Sequence, residues 1–333
     1  MKIVFFGTPD YAVPSLQAFL THPEFEVVGV VTQPDKPRGR GKRLQPSPVK
    51  AIALEAQLPL WQPRRLKKHA PSLEALAQSQ ADAFAVIAYG QLLSPEILAM
   101  PRLGCVNAHA SLLPAYRGAA PIQWSLYHGE TETGVTTMLM EAGLDTGPML
   151  LEARHPIGLL DNAAQLTQAL AQLSADLLPP TLQALARGQL QPRPQDEAQA
   201  SYARLITKAD YSLDWSRPAL ALHNQIRAFY PYCTTYYQDQ PLKILATAPL
   251  APALVPSLPA DLQTALQACP ADAAQDRDPG MITALLKNLG PVLQTGDGPL
   301  LLLQAQPAGK RPQSGWDLAN GLRLTPGCRL GSA

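Results

Sequence analysis

The feature that most constrains the fold is a regular alternation of short apolar runs with helical segments across residues 1–188. This alternation is typical of a mostly parallel sheet covered by helices. The predicted strands are Lys2–Phe6, Val27–Thr32, Ala83–Ala88, Gly104–Ala108, Val135–Met140 and Met149–Pro156. The predicted helices are Val13–Leu20, Pro48–Gln57, Pro71–Gln80, Pro95–Met100, Pro121–His128 and Ala163–Arg187. We therefore predict an α/β domain whose ligands bind beyond the carboxyl ends of the strands.

The pattern changes after Gly188, which is the predicted C-cap of the last helix. Residues 189–207 are polar and contain Pro, which predicts a linker, and residues 208–330 predict a smaller β-rich domain. Its first element is a helix over Arg217–Phe229 with Ser216 as the N-cap. The strands predicted after it are Thr234–Tyr237, Leu242–Ala246, Met281–Leu285, Val292–Thr295 and Leu300–Gln304, with a hairpin turn at 296–298. We interpret a Pro/Ala-rich tract near residues 250–280 as a mobile insertion.

Charge and cysteine usage argue against several classes of protein. The 333 residues carry 27 Lys and Arg against 26 Asp and Glu, so the net charge of +1 does not by itself indicate a nucleic-acid or membrane partner. The four cysteines form no CxxC pair, which argues against a disulfide framework or a zinc ribbon. No apolar run has the length of a signal-peptide core or a membrane helix. We expect a cytoplasmic monomer without a membrane partner or a stable protein partner.

Three polar side chains near predicted strand ends are candidates for chemistry. Asn107 and His109 lie two residues apart, so their side chains project to the same face of a strand. An Asn amide can donate to a developing oxyanion, and a His can move protons near neutral pH. Asp145 follows another strand, and its carboxylate could meet this pair at the edge of the sheet. A packed core histidine and a turn-forming aspartate are the alternatives for the single residues. No HxH or HExxH spacing favours a metal site.

A basic segment supplies the one local charge signal. Residues 36–68 hold ten Lys and Arg side chains against the single acid Glu55. Within them, glycines separate the cations Arg40, Lys42 and Arg43, so the loop can adapt to a chain of phosphates. A solvated surface loop is the alternative. The loop follows the second predicted strand, on the same edge of the sheet as the candidate site, and this position makes a nucleic-acid contact about as well supported as a solvated loop.

Several motifs resemble those of the folate-dependent formyltransferases, and the resemblance covers nearly the whole chain except about residues 250–280. It rests on NAHASLLP at 107–114, YRGAAPIQ at 116–123 and GLDTGPM at 143–149. Further support comes from FGTPD at 6–10, TQPD at 32–35 with GRGK at 39–42, PSPVK at 46–50 and QPAGK at 306–310. Within the family, the basic loop and the C-terminal domain are similar to those of members that act on initiator methionyl-tRNA. Ala115 departs from the pattern, because the family often has a basic residue there.

The resemblance implies a Rossmann-like formyltransferase domain followed by an OB-like β-barrel domain that binds tRNA. It implies transfer of a formyl group from 10-formyltetrahydrofolate to the α-amino group of methionine on initiator tRNA, for translation initiation, without a metal. By similarity, the catalytic residues are Asn107, His109 and Asp145. The implied folate-binding residues are Ser111, Leu112, Leu113, Pro114, Ala88, Tyr89 and Gly90, and the implied tRNA-binding residues are Arg40, Lys42 and Arg43.

Two alternatives stay open at this point. A formyltransferase that acts on a nucleotide-linked amino sugar would share the three catalytic residues without needing the basic loop. A non-catalytic RNA-binding protein on the same fold would tolerate loss of the three residues, yet all three are present.

Overall fold

The computed structural model describes residues 1–38, 43–267 and 278–331, and it divides the chain into two compact units. The first unit comprises residues 1–121, 132–156 and 167–204. The second comprises residues 122–131, 157–166 and 205–333.

The first unit is built on a seven-stranded sheet with the strand order β10-β9-β7-β6-β1-β2-β5. The five strands from β7 to β5 run parallel, whereas β9 and β10 are antiparallel to their neighbours. The described strands of this unit are β1 Lys2–Gly7, β2 Glu26–Val31, β3 Lys36–Arg38, β4 Arg43–Gln45, β5 Leu60–Trp61, β6 Ala83–Ile87, β7 Cys105–His109, β8 Arg117–Gly118, β9 Glu132–Leu139, β10 Met149–Pro156 and β11 Tyr202–Ala203. The predicted α/β class with a mostly parallel sheet is therefore confirmed.

The central strands are apolar because the parallel sheet is covered on both faces. All five residues of β6 and all five of β7 are buried. Phe6 packs against Phe84 and Tyr89 in the core, with ring centroids 5.2 and 5.4 Å away. Two polar side chains, Asn107 and His109, are buried on β7 among the apolar side chains of the same strand.

The helices agree with the sequence prediction to within a few residues at each end. Those of residues 1–250 are α1 Val13–Thr21, α2 Pro48–Glu55, α3 Ala70–Gln78, α4 Pro95–Leu98, α5 Pro121–His128, α6 Ala163–Ala186 and α7 Ala219–Ala228. Gly188 has a φ of 66°, the left-handed conformation expected of a residue that ends a helix. The predicted start of α7 is wrong: Pro218 occupies the N-cap position, and the Ser216 hydroxyl instead donates to Asp214 Oδ1 at 2.6 Å.

The second unit contains an antiparallel sheet with the order β12-β13-β16-β15-β14, and β17 pairs with β16. Its described strands are β12 Thr234–Tyr237, β13 Gln240–Pro249, β14 Ile282–Leu286, β15 Gly290–Gln294, β16 Pro299–Pro307 and β17 Gln313–Ser314. Two further helices, α8 Ala260–Gln267 and α9 Gly315–Leu322, belong to this unit. The predicted hairpin turn at 296–298 joins β15 to β16.

The predicted insertion near 250–280 and the predicted linker at 189–207 both make ordered contacts where the structure describes them. Leu258 and Leu262, in the tract near 250–280, are buried in an apolar cluster with Val292 and Leu301 of the antiparallel sheet. Leu262 lies on α8 and Leu258 lies two residues before its first residue, so the start of this helix is anchored in the core, which Pro and Ala content does not predict. Residues 268–277 of this tract lie outside the described residues. Much of the predicted linker at 189–207 belongs to the first unit and is hydrogen bonded to its other segments.

Candidate active site

Strand β7 carries the two predicted groups that can act on a carbonyl. Asn107 and His109 are 9% and 6% exposed, and the alternation of the strand places both on one face. Among the described residues, the Asn107 side-chain amide forms no hydrogen bond to another protein group. Its donor is therefore available to a ligand.

The hydrogen bonding of His109 fixes its tautomer. Nε2 lies 2.9 Å from the carbonyl oxygen of Tyr116. A carbonyl can only accept, so Nε2 carries a proton and Nδ1 is the atom that gains or loses one. Nδ1 lies 3.7 Å from Asp145 Oδ2, which is too long for a hydrogen bond. The His109 atom that can exchange a proton therefore faces a carboxylate and is not bonded to it.

Asp145 reaches this position by a route that differs from the simplest expectation. Strand β9 is antiparallel to β7, so Leu139 at its end lies beside Val106 and not beside His109. Met149, at the start of β10, pairs with Met138, which itself lies beside Asn107. Residues 140–148, here called the Asp145 loop, therefore begin and end away from His109 and extend back toward it.

Two backbone features hold the carboxylate at the tip of this loop. Asp145 has a φ of 53°, in the left-handed region, and its Oδ2 accepts the backbone N–H of Gly118 at 2.9 Å. Gly118 has a φ of 120°, and a Cβ there would lie 2.7 Å from the carbonyl oxygen of Ala203. Only glycine fits this close approach to Ala203, because any side chain would collide with the carbonyl oxygen. In this conformation the backbone N–H of Gly118 is directed at the Asp145 carboxylate.

Residues 193–203, here called the strap, support the same loop, a role that their polar, Pro-bearing sequence does not predict. Gln195 Nε2 donates to the carbonyl oxygens of Asp145 and Gly147 at 2.7 and 2.8 Å. Gln195 Oε1 accepts from Arg117 Nε at 2.9 Å. The guanidinium of Arg117 is fully buried and forms a bidentate pair with Glu197 at 2.8 and 3.0 Å. Hydrogen bonding to Glu197 raises the pKa of Arg117 further, so the strap is held by a permanent charge.

The predicted folate-binding turn at 88–90 lies at the carboxyl end of β6. Ala88 and Gly90 have φ values of 47° and 82°, so the chain turns sharply here. The carbonyl oxygen of Tyr89 accepts from Thr8 Oγ1 and Gln33 Nε2, both at 3.2 Å. The Tyr89 ring is 2% exposed and packs in the apolar core, and burial raises the pKa of its hydroxyl. This turn can offer a ligand its backbone, but the Tyr89 side chain is directed elsewhere.

The other predicted folate residues form a tight turn after β7. Ser111 is fully buried and its hydroxyl donates to the carbonyl oxygen of Ala115 at 2.6 Å. The backbone N–H of Leu113 donates to Thr136 Oγ1 at 3.0 Å, and that hydroxyl donates to the carbonyl oxygen of Ser111. Leu112 and Pro114 are partly exposed, whereas Leu113 is buried. Ser111 therefore stabilises the turn, and Leu112 and Pro114 are the members that can contact a ligand.

The predicted tRNA-binding cations are only partly described. Arg40 and Lys42 lie outside the described residues, and Arg43 begins β4, which pairs with β3 in a two-stranded hairpin. Lys50, a cation of the same basic segment, is bonded to Asp35 at 2.7 Å, and this bond lowers the pKa of the Asp35 carboxyl. Lys50 is therefore neutralised internally, while the cations Arg64, Arg65, Lys67 and Lys68 are exposed.

In the described part of the chain, no group of three or more His, Cys, Asp or Glu side chains is arranged to hold a metal ion. None of the described helices combines the length and the hydropathy that crossing a bilayer requires.

Comparison with known proteins shows the family to which this chain belongs. The model of the formyl transferase family matches residues 1–182, and that of the formyl transferase C-terminal domain matches residues 205–323. A methionyl-tRNA formyltransferase from a Cyanothece species is 61% identical over 332 residues, which cover 99% of each chain. The chain belongs to the methionyl-tRNA formyltransferase family. The methionyl-tRNA formyltransferase of Trichormus variabilis is also similar, at 59% identity over 100% of this chain and 99% of its own.

Solved structures give the same fold at much lower identity. An N-formyltransferase from Helicobacter canadensis, in complex with folinic acid and dTDP-3-aminofucose, is 18% identical with a TM-score of 0.63. The match covers 91% of this chain and 98% of that one. HypX from Aquifex aeolicus, in complex with tetrahydrofolic acid, is 13% identical with a TM-score of 0.58 and covers 96% of this chain and 47% of its own. These two structures therefore show a shared fold only, and the family membership above rests on the close relatives.

Proposed function

We propose that this chain transfers the formyl group of 10-formyltetrahydrofolate to the α-amino group of methionine on initiator tRNA, for translation initiation. The observation that carries the proposal is the approach of Asp145 to His109, with Asn107 on the same face of β7, in a chain with such close relatives in this family. Each of the three can then be given a role from its contacts.

Asn107 and His109 are assigned to the carbonyl oxygen of the formyl group. Attack by the methionine nitrogen forms a bond to the formyl carbon and converts that oxygen into an oxyanion. The Asn107 amide can donate to it without a competing partner among the described residues. His109 can donate only from Nδ1, because Nε2–H is bonded to Tyr116, so the protonated imidazole is the form that binds the oxyanion.

Asp145 is assigned to the proton that must move. The attacking nitrogen loses a proton after it bonds to carbon, and N10 of the folate needs one when the carbon–N10 bond breaks. A carboxylate can accept and return that proton, directly or through a water, so that atoms and charge balance without a covalent enzyme intermediate. Its position 3.7 Å from His109 Nδ1 also lets it stabilise the imidazolium.

The remaining assignments follow the family resemblance. The turn at 88–90 and the turn at 111–114 are proposed to line the folate site, mainly through backbone atoms and through Leu112 and Pro114. Arg40, Lys42 and Arg43 are proposed to contact the acceptor end of the tRNA. The antiparallel strands β12–β16 support an OB-like barrel that binds tRNA, and free cysteines at 105, 233 and 328 support a cytoplasmic location. We retain the expectation of a monomer.

A transfer assay tests the proposal against the amino-sugar alternative. Full-length protein is incubated with 10-formyltetrahydrofolate and either methionyl initiator tRNA or a dTDP-linked amino sugar, and the formylated product is measured by mass. Formyl-methionine formed from the tRNA, with no turnover of the sugar, is expected. Turnover of the sugar alone would favour the small-substrate enzyme, and binding of tRNA without transfer would favour the non-catalytic protein.

A further inference from the structure

The strap lies between the regions that the two family models match, at 1–182 and 205–323, yet it contacts the Asp145 loop and residues 116–118. Its N-terminal end forms a β-bridge between Arg193 and Met149, at the end of the Asp145 loop. Its C-terminal end pairs in parallel with Arg117 and Gly118 as β11. Between them, Ser201 accepts the N–H groups of Tyr116 and Arg117, at Oγ and at its carbonyl oxygen. The strap therefore joins the residues that contact His109 to those that carry Asp145.

Gln195 is the strap residue whose side chain bonds both to the Asp145 loop and to Arg117. One side-chain amide donates to two carbonyl groups of the Asp145 loop, at residues 145 and 147, and a second atom of the same amide accepts from Arg117. The loop begins and ends away from His109, so its tip needs support to stay there. The donor pair of Gln195 supplies this support from the backbone side, while Gly118 N–H contacts the carboxylate itself.

Arg117 and Glu197 in turn hold Gln195. A fully buried guanidinium with a bidentate carboxylate partner has little freedom, and its Nε–H orients the Gln195 amide so that Nε2 faces the loop. A glutamine in this arrangement cannot flip without placing Nε2 against a donor. The polar, Pro-bearing segment that the sequence predicts as a linker therefore holds the side-chain amide of Gln195 in one orientation.

We propose that Gln195 is a positioning residue for formyl transfer, which acts by holding Asp145 opposite His109. The proposal rests on the proposed function, because it assumes that Asp145 moves the proton. A displacement of about 1 Å of a reacting group can cost roughly 100-fold in rate, so loss of the two donors should lower kcat at least tenfold. The KM for 10-formyltetrahydrofolate should change less than about twofold, because within the described residues the Gln195 side chain bonds to Arg117, Asp145 and Gly147 and to none of the residues assigned to the folate site.

Two variants of the full chain isolate the donors. Gln195→Met keeps the length of the side chain but removes donor and acceptor without adding charge, whereas Gln195→Glu keeps the acceptor for Arg117 and replaces the donors by a carboxylate oxygen that repels the two carbonyl groups. Both are expected to lose kcat to a similar extent. Gln199→Met is the matched control, because Gln199 is exposed on the strap and, within the described residues, its side chain bonds only to Asp196. Wild-type kcat in Gln195→Met and Gln195→Glu would overturn the proposal.

A double-variant cycle and an exchange measurement separate positioning from a general effect on folding. Gln195→Met should lower kcat at least tenfold in the wild type but less than about threefold when Asp145 is already replaced by Asn. Wild-type kcat in Asp145→Asn alone would instead refute the proposed function. The amide of Gly118 reports the loop independently of activity, because Asp145 is its acceptor. Its hydrogen exchange should accelerate in Gln195→Met and not in Gln199→Met, while amides of β7 stay protected; unchanged exchange at Gly118 would overturn the proposal.

Discussion

A buried histidine in the second unit makes the stability of that unit depend on pH. His223 on α7 is 2% exposed, and its Nε2 donates to the carbonyl oxygen of Leu159 at 2.7 Å while Nδ1 contacts Thr247 Oγ1 at 3.0 Å. Nε2 must carry the proton, so Nδ1 accepts from the Thr247 hydroxyl. Burial lowers the pKa of His223 from 6.5 to about 4, and the charge of Arg227 acts in the same direction.

The size of the effect follows from these two values. Between pH 6.5 and 4 the unfolded chain binds a proton on this imidazole and the folded chain does not, so unfolding is favoured as the pH falls. The free energy of unfolding should lose about 2 kcal/mol between pH 7.5 and 5, and roughly 3.4 kcal/mol once the pH is well below 4. Above pH 7 this contribution is constant.

His223→Gln removes the titration, because glutamine carries no group that binds a proton in this pH range. The variant also keeps a donor for the Leu159 carbonyl, so the hydrogen bond can be preserved. Urea unfolding followed by tryptophan fluorescence suits the measurement, since Trp124, Trp215 and Trp316 all belong to the second unit. The stability difference between wild type and variant should shrink by about 2 kcal/mol from pH 7.5 to 5, a comparison in which the other titrating groups cancel. A difference that stays constant over this range would refute the reasoning.

Two further predictions concern the substrate sites. Arg40→Ala and Lys42→Ala should each reduce the slope of log KM for tRNA against log salt by about one unit, with Gln45→Ala as the uncharged control; an unchanged slope would make the loop a solvated surface. Tyr89→Phe should leave kcat and the KM for 10-formyltetrahydrofolate unchanged, because the ring is buried in the core and no described protein group bonds its hydroxyl. A tenfold loss of kcat/KM in steady-state assays would place the hydroxyl in the folate site instead.

Most of the catalytic layer could be predicted because the relevant signals are local. Apolar runs of strand length indicated β1, β2, β6 and β7, and the two-residue spacing of Asn107 and His109 placed both side chains on one face. The position of Asp145 near this pair was also predicted, but for an incomplete reason. The sequence does not reveal that β9 runs antiparallel, so the need for the loop to extend back toward His109 appears only in the structure.

What the sequence did not reveal depends on contacts between distant segments. Gln195 is 50 residues from Asp145 and 78 from Arg117, and nothing in the polar run around it distinguishes a linker from a support. Two-residue strands such as β8 and β11 are likewise too short for any periodic signal. The resemblance implies a folate contact for Ser111, but the sequence does not reveal the bond from its hydroxyl to the carbonyl oxygen of Ala115, which depends on the local turn geometry.

The central claim is that Asn107, His109 and Asp145 carry out the transfer, and one single-turnover measurement tests it most directly. Enzyme saturated with 10-formyltetrahydrofolate is mixed with methionyl initiator tRNA, and the rate of formyl-methionine formation is compared between wild type and Asp145→Asn. Asn preserves the acceptor for Gly118 N–H but cannot take up the proton, so the rate should fall by about 100- to 1000-fold, while the affinity for folate changes little. A rate within about threefold of wild type, at saturating folate, would contradict the account.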